Sequence, residues 1–93
     1  ISAEIPKAYS LLQNYPNPFN NISNLKFEIA NLGHVNLIVY DVMGREVQTL
    51  VNERLQPGIY EATFDGSMLN SGVYFYRLMT DGFSETKRMI LIK

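Results

Sequence analysis

Apolar and polar residues alternate with a period of two along most of this chain. Leu25, Phe27 and Ile29 alternate with Lys26, Glu28 and Ala30, the pattern of a strand with one buried face. In the run at residues 35–40, Val35, Leu37 and Val39 fall on one side and Asn36, Ile38 and Tyr40 on the other, so both faces carry apolar bulk. At residues 46–52 the same reading groups Val47, Thr49 and Val51 and sets Leu50 opposite them. Tyr60, Ala62 and Phe64 share a face within 59–65, as do Tyr74, Tyr76 and Leu78 within 73–80. A short apolar run at 9–13 predicts a first strand. The run at 83–93 predicts a last one, with Met89 and Leu91 on one side and Ile90 and Ile92 on the other. The two-sided end of this last run reads first as a strand covered by core and loops, and second as a docking surface.

Turn chemistry falls between these runs. Asn31-Leu32-Gly33-His34 and Asp41-Val42-Met43-Gly44-Arg45 separate the second, third and fourth, residues 52–58 end in Pro57-Gly58, and Asp65-Gly66 and Asp81-Gly82 close the next two. Residues 67–71 have room for a single helical turn around Met68 and Leu69. No window shows helical periodicity, and turns recur roughly every 8 to 12 residues, which predicts an all-β, seven-stranded antiparallel sandwich.

One stretch stands outside the alternation. Asn14-Tyr15-Pro16-Asn17-Pro18-Phe19-Asn20 has two prolines one residue apart, which fix φ and push Tyr15 and Asn17 toward extended backbone, excluding a helix or a central strand. The segment is expected to be a stiff connector whose aromatics, Tyr15 and Phe19, anchor it against a sheet or over the end of the core.

Composition narrows the function more than it defines it. A chain of 93 residues supports one modest core, and a net charge of -1 gives no electrostatic case for nucleic acid or an anionic membrane. With no cysteine, disulfides, thiol nucleophiles and cysteine metal sites are all excluded. No run approaches the ~20 apolar residues that span a bilayer, and no signal segment opens the sequence. His34, the single histidine, has no evident nucleophile or orienting acid near it in sequence. Asp41, Asp65 and Asp81 open turns and lack the spacing of a calcium loop, and the glycines never form a phosphate cradle. Tyr74-Phe75-Tyr76 cannot make one flat sugar-stacking stripe, because neighbours in a strand point to opposite sides. No catalytic, cofactor or metal residue is assigned, and no small-molecule substrate is expected.

Taken in order, these motifs resemble the C-terminal sorting domain of the type IX (Por) secretion system over nearly all of residues 11–93. The resemblance rests on Asn14, Tyr15, Pro16, Asn17, Pro18, Phe19 and Asn20; on Val39-Tyr40-Asp41-Val42-Met43-Gly44-Arg45-Glu46-Val47; and on Pro57-Gly58. It continues through Leu69-Asn70-Ser71-Gly72-Val73-Tyr74-Phe75-Tyr76-Arg77-Leu78 and the ending Lys87-Arg88-Met89-Ile90-Leu91-Ile92-Lys93. Small departures are Asn20-Asn21 where Asn-Pro is common, and Gly58-Ile59-Tyr60 where a Gly-x-His step is frequent. The resemblance implies an immunoglobulin-like sandwich with a non-enzymatic role as an address label. It further implies a cargo domain on the N-terminal side, passage through the periplasm of a Gram-negative bacterium, and recognition by an outer-membrane translocon. In many such systems a sortase-like peptidase then removes the domain at the cell surface. On this reading residues 1–8 are a linker from the cargo, 9–93 form the sorting domain, and Lys93 is the family's usual terminus. The absence of an initial methionine fits a piece of a longer protein, which the resemblance implies is secreted or held at the cell surface. Lys87, Arg88, Met89, Ile90, Leu91, Ile92 and Lys93 are the expected translocon-recognition residues. The alternative is an immunoglobulin-like scaffolding or adhesion module of the flagellar hook-cap kind, which shares the Tyr40 to Gly44 and Ser71 to Tyr74 steps; the Asn14 to Asn20 motif separates the two.

Overall fold

The computed structural model describes residues 6–93, so that residues 1–5 of the expected linker lie outside the described residues. The alternating runs become β1 (Ser10–Leu11), β2 (Ile22–Ile29), β3 (Gly33–Tyr40), β4 (Glu46–Leu55), β5 (Gly58–Asp65), β6 (Gly72–Thr80) and β7 (Phe83–Leu91). Neighbours pair antiparallel in two sheets, β1-β2-β5 and β4-β3-β6-β7. This is the seven-stranded immunoglobulin-like sandwich that the turn spacing and the resemblance predict.

The period-two pattern works as a sorting rule for side chains. In β2, Ser23, Leu25, Phe27 and Ile29 are buried while Ile22 and Lys26 face solvent. Val35, Leu37 and Val39 of β3, Tyr74, Tyr76 and Leu78 of β6, and Met89 and Leu91 of β7 meet them from the other sheet. Burying each such side chain contributes about 1.5–3 kcal/mol, and this drives the sheets together. Phe27 also stacks on Tyr60 of the neighbouring strand, ring centroids 5.6 Å apart.

Three expectations change. In β4, Leu37 opposes Val51 and Ile38 opposes Thr49, and Val39 opposes Gln48 and Tyr40 opposes Glu46, so Leu50 and Val47 are extra residues at two bulges. Each bulge resets the phase. Thr49 is therefore exposed, and Leu50 joins Val47, Val51 and Leu55 against the core. β4 also runs on to Leu55, contracting the turn to Gln56 and Pro57. Secondly, His34 lies in β3 and not in a turn, hydrogen-bonded across the pair to Asn52 Oδ1 at 2.6 Å. Thirdly, the stretch at 67–71 holds a turn closed by Leu69 N–H donating to the Gly66 carbonyl at 3.0 Å, and no helix. Two helix-compatible residues between Gly66-Ser67 and Asn70-Ser71-Gly72 cannot nucleate one.

Candidate functional site

The segment ahead of β2 runs along the free edge of β7 and ties it to the opposite sheet. It starts with Tyr9, whose ring stacks on Phe83 with centroids 5.4 Å apart, and continues as β1, paired with β2. Gln13 Nε2 then donates to the Arg88 carbonyl at 2.7 Å, and Ile90 N–H donates to Asn17 Oδ1 at 3.0 Å. Phe19 completes the row: its N–H donates to the Ile90 carbonyl at 2.9 Å, and its carbonyl accepts from Ile92 N–H at 2.8 Å, a parallel bridge opposite Leu91. The edge groups from Arg88 to Ile92, which an edge strand would otherwise offer to any passing chain, are thus occupied by Gln13 and the motif that follows it. Both X-Pro bonds of this strap, at Pro16 and Pro18, are cis.

Buried polar groups hold the strap in place. Asn14 is 3% exposed; its Nδ2 donates to Ser23 Oγ at 2.8 Å and to the Pro16 carbonyl at 3.0 Å, while Ser23 Oγ donates to that same carbonyl at 2.8 Å. From the other sheet, the Tyr76 hydroxyl accepts from Asn14 N–H and donates to the Leu12 carbonyl, each at 2.8 Å. Its burial pushes the phenol up to about 12, against a partly offsetting hydrogen bond from Asn14 and with a minor contribution from Glu85. This hydroxyl is a polar pin through the core, satisfying two backbone groups that have no ladder partner.

Phe19 is the apolar anchor that the motif predicts, 2% exposed and edge-on to Phe64 with centroids 5.9 Å apart. Tyr15 is not. It is 79% exposed, because its backbone pairs in both directions with Asn24, at 2.9 Å each way. Cross-strand partners share a face, and Asn24 lies on the outward register of β2 between the inward Ser23 and Leu25. The expectation of two anchors therefore reduces to Phe19 and the polar Asn14.

The other signature residues mostly gather at the same end of the four-stranded sheet. Asp41 closes the β3–β4 hairpin: its Oδ1 accepts from Met43 N–H at 2.9 Å and Arg45 N–H at 3.0 Å, and Arg45 Nε lies 2.9 Å from Oδ2. These donors, the Arg45 amide first, hold the carboxyl below its ordinary value. Gly44 takes the positive φ of 83° that the loop needs. Tyr40 precedes this loop and opposes Phe75 on β6. Ser71 Oγ accepts from Lys93 N–H at 2.9 Å, Lys93 Nζ donates to the Ser67 carbonyl, and the Tyr74 hydroxyl donates to the Asn70 carbonyl at 2.7 Å. Gly72 opposes Leu91 at the start of β6. Gly58 stands apart, at the opposite end of β5 from Asp65.

Of the expected recognition residues, Met89 and Leu91 are fully buried, whereas Arg88 and Ile92 are exposed and Ile90 half-buried. Lys87 points along the inward register and pairs with Glu85 at 3.3 Å. Sequence reasoning assigned no site role to Ser23, to Tyr76, which it placed on the inward face of its strand, or to Gly66, which it placed in a turn. Ser23 was legible, since extending the β2 alternation two residues upstream places a hydroxyl inside the core, where it must find a partner. Gly66 is buried where a Cβ would stand 3.2 Å from Leu91 and 3.4 Å from Phe19, so its missing side chain lets strap, β5 and β7 meet.

Among the described residues, no group of three or more His, Cys, Asp or Glu side chains is placed to hold a metal ion. The fold and the clamp on β7 define a small β-sandwich module whose shared motif residues maintain one strand and one end of the molecule. Its family follows from comparison: the model of the secretion system C-terminal sorting domain matches residues 13–93, and the chain belongs to that family. It is a sorting domain of type IX secretion, a family of non-catalytic signals carried by secreted or surface cargo. The match decides between the two readings of the sequence, in favour of sorting over the hook-cap-like module. No curated protein shows significant similarity. The chain is similar in fold to part of dimeric latent PorU from Porphyromonas gingivalis, with a TM-score of 0.72 and 18% identity over 99% of this chain. It spans 10% of that chain's length.

Proposed function

We propose that this domain directs a cargo joined to its N-terminal side through the periplasm and across the outer membrane, and that β7 and the residues after it are what the outer-membrane translocon reads. On this reading a sortase-like peptidase separates domain from cargo ahead of the sandwich, within or before residues 1–8. The observation that supports it is the division of labour at the end of β7: Met89 and Leu91 fill the core, the strap fixes the backbone, and Arg88, Ile90 and Ile92 point away. A backbone held this firmly presents outward side chains in a fixed geometry, which lowers the ordering cost of recognition.

Deleting residues 87–93 would remove two core side chains and so confuse folding with recognition. The cleaner test is Ile92→Asp, at a side chain 54% exposed, in a reporter fused ahead of the domain. Loss of the reporter from the cell surface with an unchanged melting curve is the expected result. Normal export with the substitution in place would remove Ile92 from the recognised surface.

A further inference from the structure

The outer face of the four-stranded sheet is unusual in composition. Register places Tyr40 beside Phe75 and Phe75 beside Arg88, then Ile38 beside Arg77 and Arg77 beside Thr86, with Val73 beside Ile90 at the end. Two aromatic rings thus come from adjacent strands, a pairing that the Tyr74-Phe75-Tyr76 run could not make alone. Val42 extends the apolar surface from the hairpin loop, 66% exposed. A shallow hollow of about 360 Å³ lies between Tyr40, Asp41, Val42, Phe75, Arg77 and Thr86.

The charges on this face are mostly basic. The outward positions of β3, β6 and β7 hold Arg77 and Arg88 and no carboxylate, and β4 adds Arg54 opposite His34 and a single carboxylate, Glu46, opposite Tyr40. Arg77 donates from Nε to Thr86 Oγ1 at 3.3 Å, and neither arginine has an acidic partner among the described residues. Asp41, at the rim, is already engaged by two amides and Arg45. Two cations are worth only about 2 kcal/mol against an anionic membrane. Hydrophobic side chains set around a concavity, with unpaired guanidiniums at its margin, instead match a protein surface that carries an apolar projection between carboxylates.

We propose that this face, centred on Tyr40, Phe75, Arg77 and Arg88, docks an acidic-rimmed apolar surface of a protein in the secretion machinery; the inference rests on the sorting reading and names the partner's chemistry. Arginine suits such a partner because its planar guanidinium grips a carboxylate with two hydrogen bonds.

The test uses a reporter fused ahead of the chain in a type IX-competent bacterium, with surface reporter read by flow cytometry. Arg77→Glu/Arg88→Glu is expected to cut surface reporter about tenfold or more, as for opposed like charges at an interface. Arg77→Lys/Arg88→Lys should restore only part of it, since lysine keeps the charge but not the fork. Single Arg88→Glu should reduce export, whereas Lys26→Glu on the other sheet, with the same change in charge, should not. Both arginines are exposed, so melts should stay within about 3 °C of the unsubstituted chain. Normal export by the double reversal would overturn the proposal, as would an equal loss from Lys26→Glu. Normal export combined with lost binding to phosphatidylglycerol vesicles, or with lost self-association in sedimentation, would assign the face to lipid or to a second copy and also overturn it. Normal export after removal of the whole domain would instead defeat the sorting reading itself.

Discussion

Removing a single oxygen, in Tyr76→Phe, tests the pin that joins the two sheets. The hydroxyl accepts from Asn14 N–H and donates to the Leu12 carbonyl, both at 2.8 Å, and Tyr76 is 0% exposed. Phenylalanine keeps the ring packing but leaves a buried donor and a buried acceptor unpaired, each costing about 1–1.5 kcal/mol, so a loss of about 2–3 kcal/mol is expected. For a domain of this size each kcal/mol is worth about 4–8 °C, giving a melt lower by about 8–24 °C at pH 7. The strap should loosen first, and hydrogen exchange at Asn14, Phe19 and Ile92 should accelerate beyond the global change.

The same group makes stability depend on pH on the alkaline side. A phenol near 10 in the unfolded chain and raised to about 12 in the fold favours the neutral form, so its contribution is complete below pH 10 and is lost as pH rises from 10 to 12. At most about 3 kcal/mol disappears over that window. Unfolding measured at pH 7, 10 and 11.5 should show the unsubstituted protein losing its advantage over Tyr76→Phe as pH rises, with titration of exposed tyrosines and lysines common to both. A melt within about 2 °C of the unsubstituted protein at pH 7, together with parallel alkaline curves, would refute the idea that this hydroxyl carries the strap.

Three further outcomes are expected. Phe19→Ala removes a ring packed edge-on against Phe64 and should cost about 3–5 kcal/mol by urea unfolding, whereas Tyr15→Ser, at a side chain 79% exposed, should stay within about 0.5 kcal/mol; similar losses from both would contradict the single-anchor strap. Gly66→Ala forces a Cβ to 3.2 Å from Leu91 and should lower the melt by several degrees, while Gly44→Ala tests φ alone at a site with no neighbour within 4 Å; a neutral Gly66→Ala would show that β7 can yield there. Asp41 is held below its ordinary 3.8 by the amides of Arg45 and Met43, so its contribution to the hairpin is present above that value and lost as pH falls below it; an NMR titration of the Arg45 amide with a midpoint at or above 3.8 would reject this.

Where backbone conformation and side-chain face decide the outcome together, period two is a sufficient guide, and β2, β3 and β6 follow it in facing, although Ile38 on the outer face of β3 is buried as well, at 8% exposure. It fails in β4, because a bulge adds a residue without adding a step of the ladder, and nothing in Val47-Gln48-Thr49-Leu50-Val51 marks which residue is extra. The same limit explains Tyr15. Hydrophobicity favours burial of its ring, but facing is set by the outward register of Asn24, a partner nine residues away that local sequence does not identify. The resemblance found the motif residues without their purpose, which required the edge of β7, more than seventy residues further along.

That edge gives the motif and the last strand one physical explanation. An open β7 edge would present unpaired N–H and C=O groups next to the fully buried Met89 and Leu91, in a protein that must meet other chains during export. Gln13, Asn17 and Phe19 occupy those groups, and Asn14, Ser23 and Tyr76 fix the strap that carries them. Stiffness at the prolines keeps the unbound strap from sampling many alternatives, so closing it costs less entropy than a flexible loop of equal length would. With its edge sealed, β7 can be read only through outward side chains, and these continue without a break into Val73, Phe75 and Tyr40. Opening the strap by Asn17→Ala, which removes the acceptor for Ile90 N–H, should therefore increase self-association through β7 while leaving the outer face unchanged. Sedimentation shows which occurs: a strictly monomeric Asn17→Ala protein would mean that the strap's remaining bonds suffice to seal the edge.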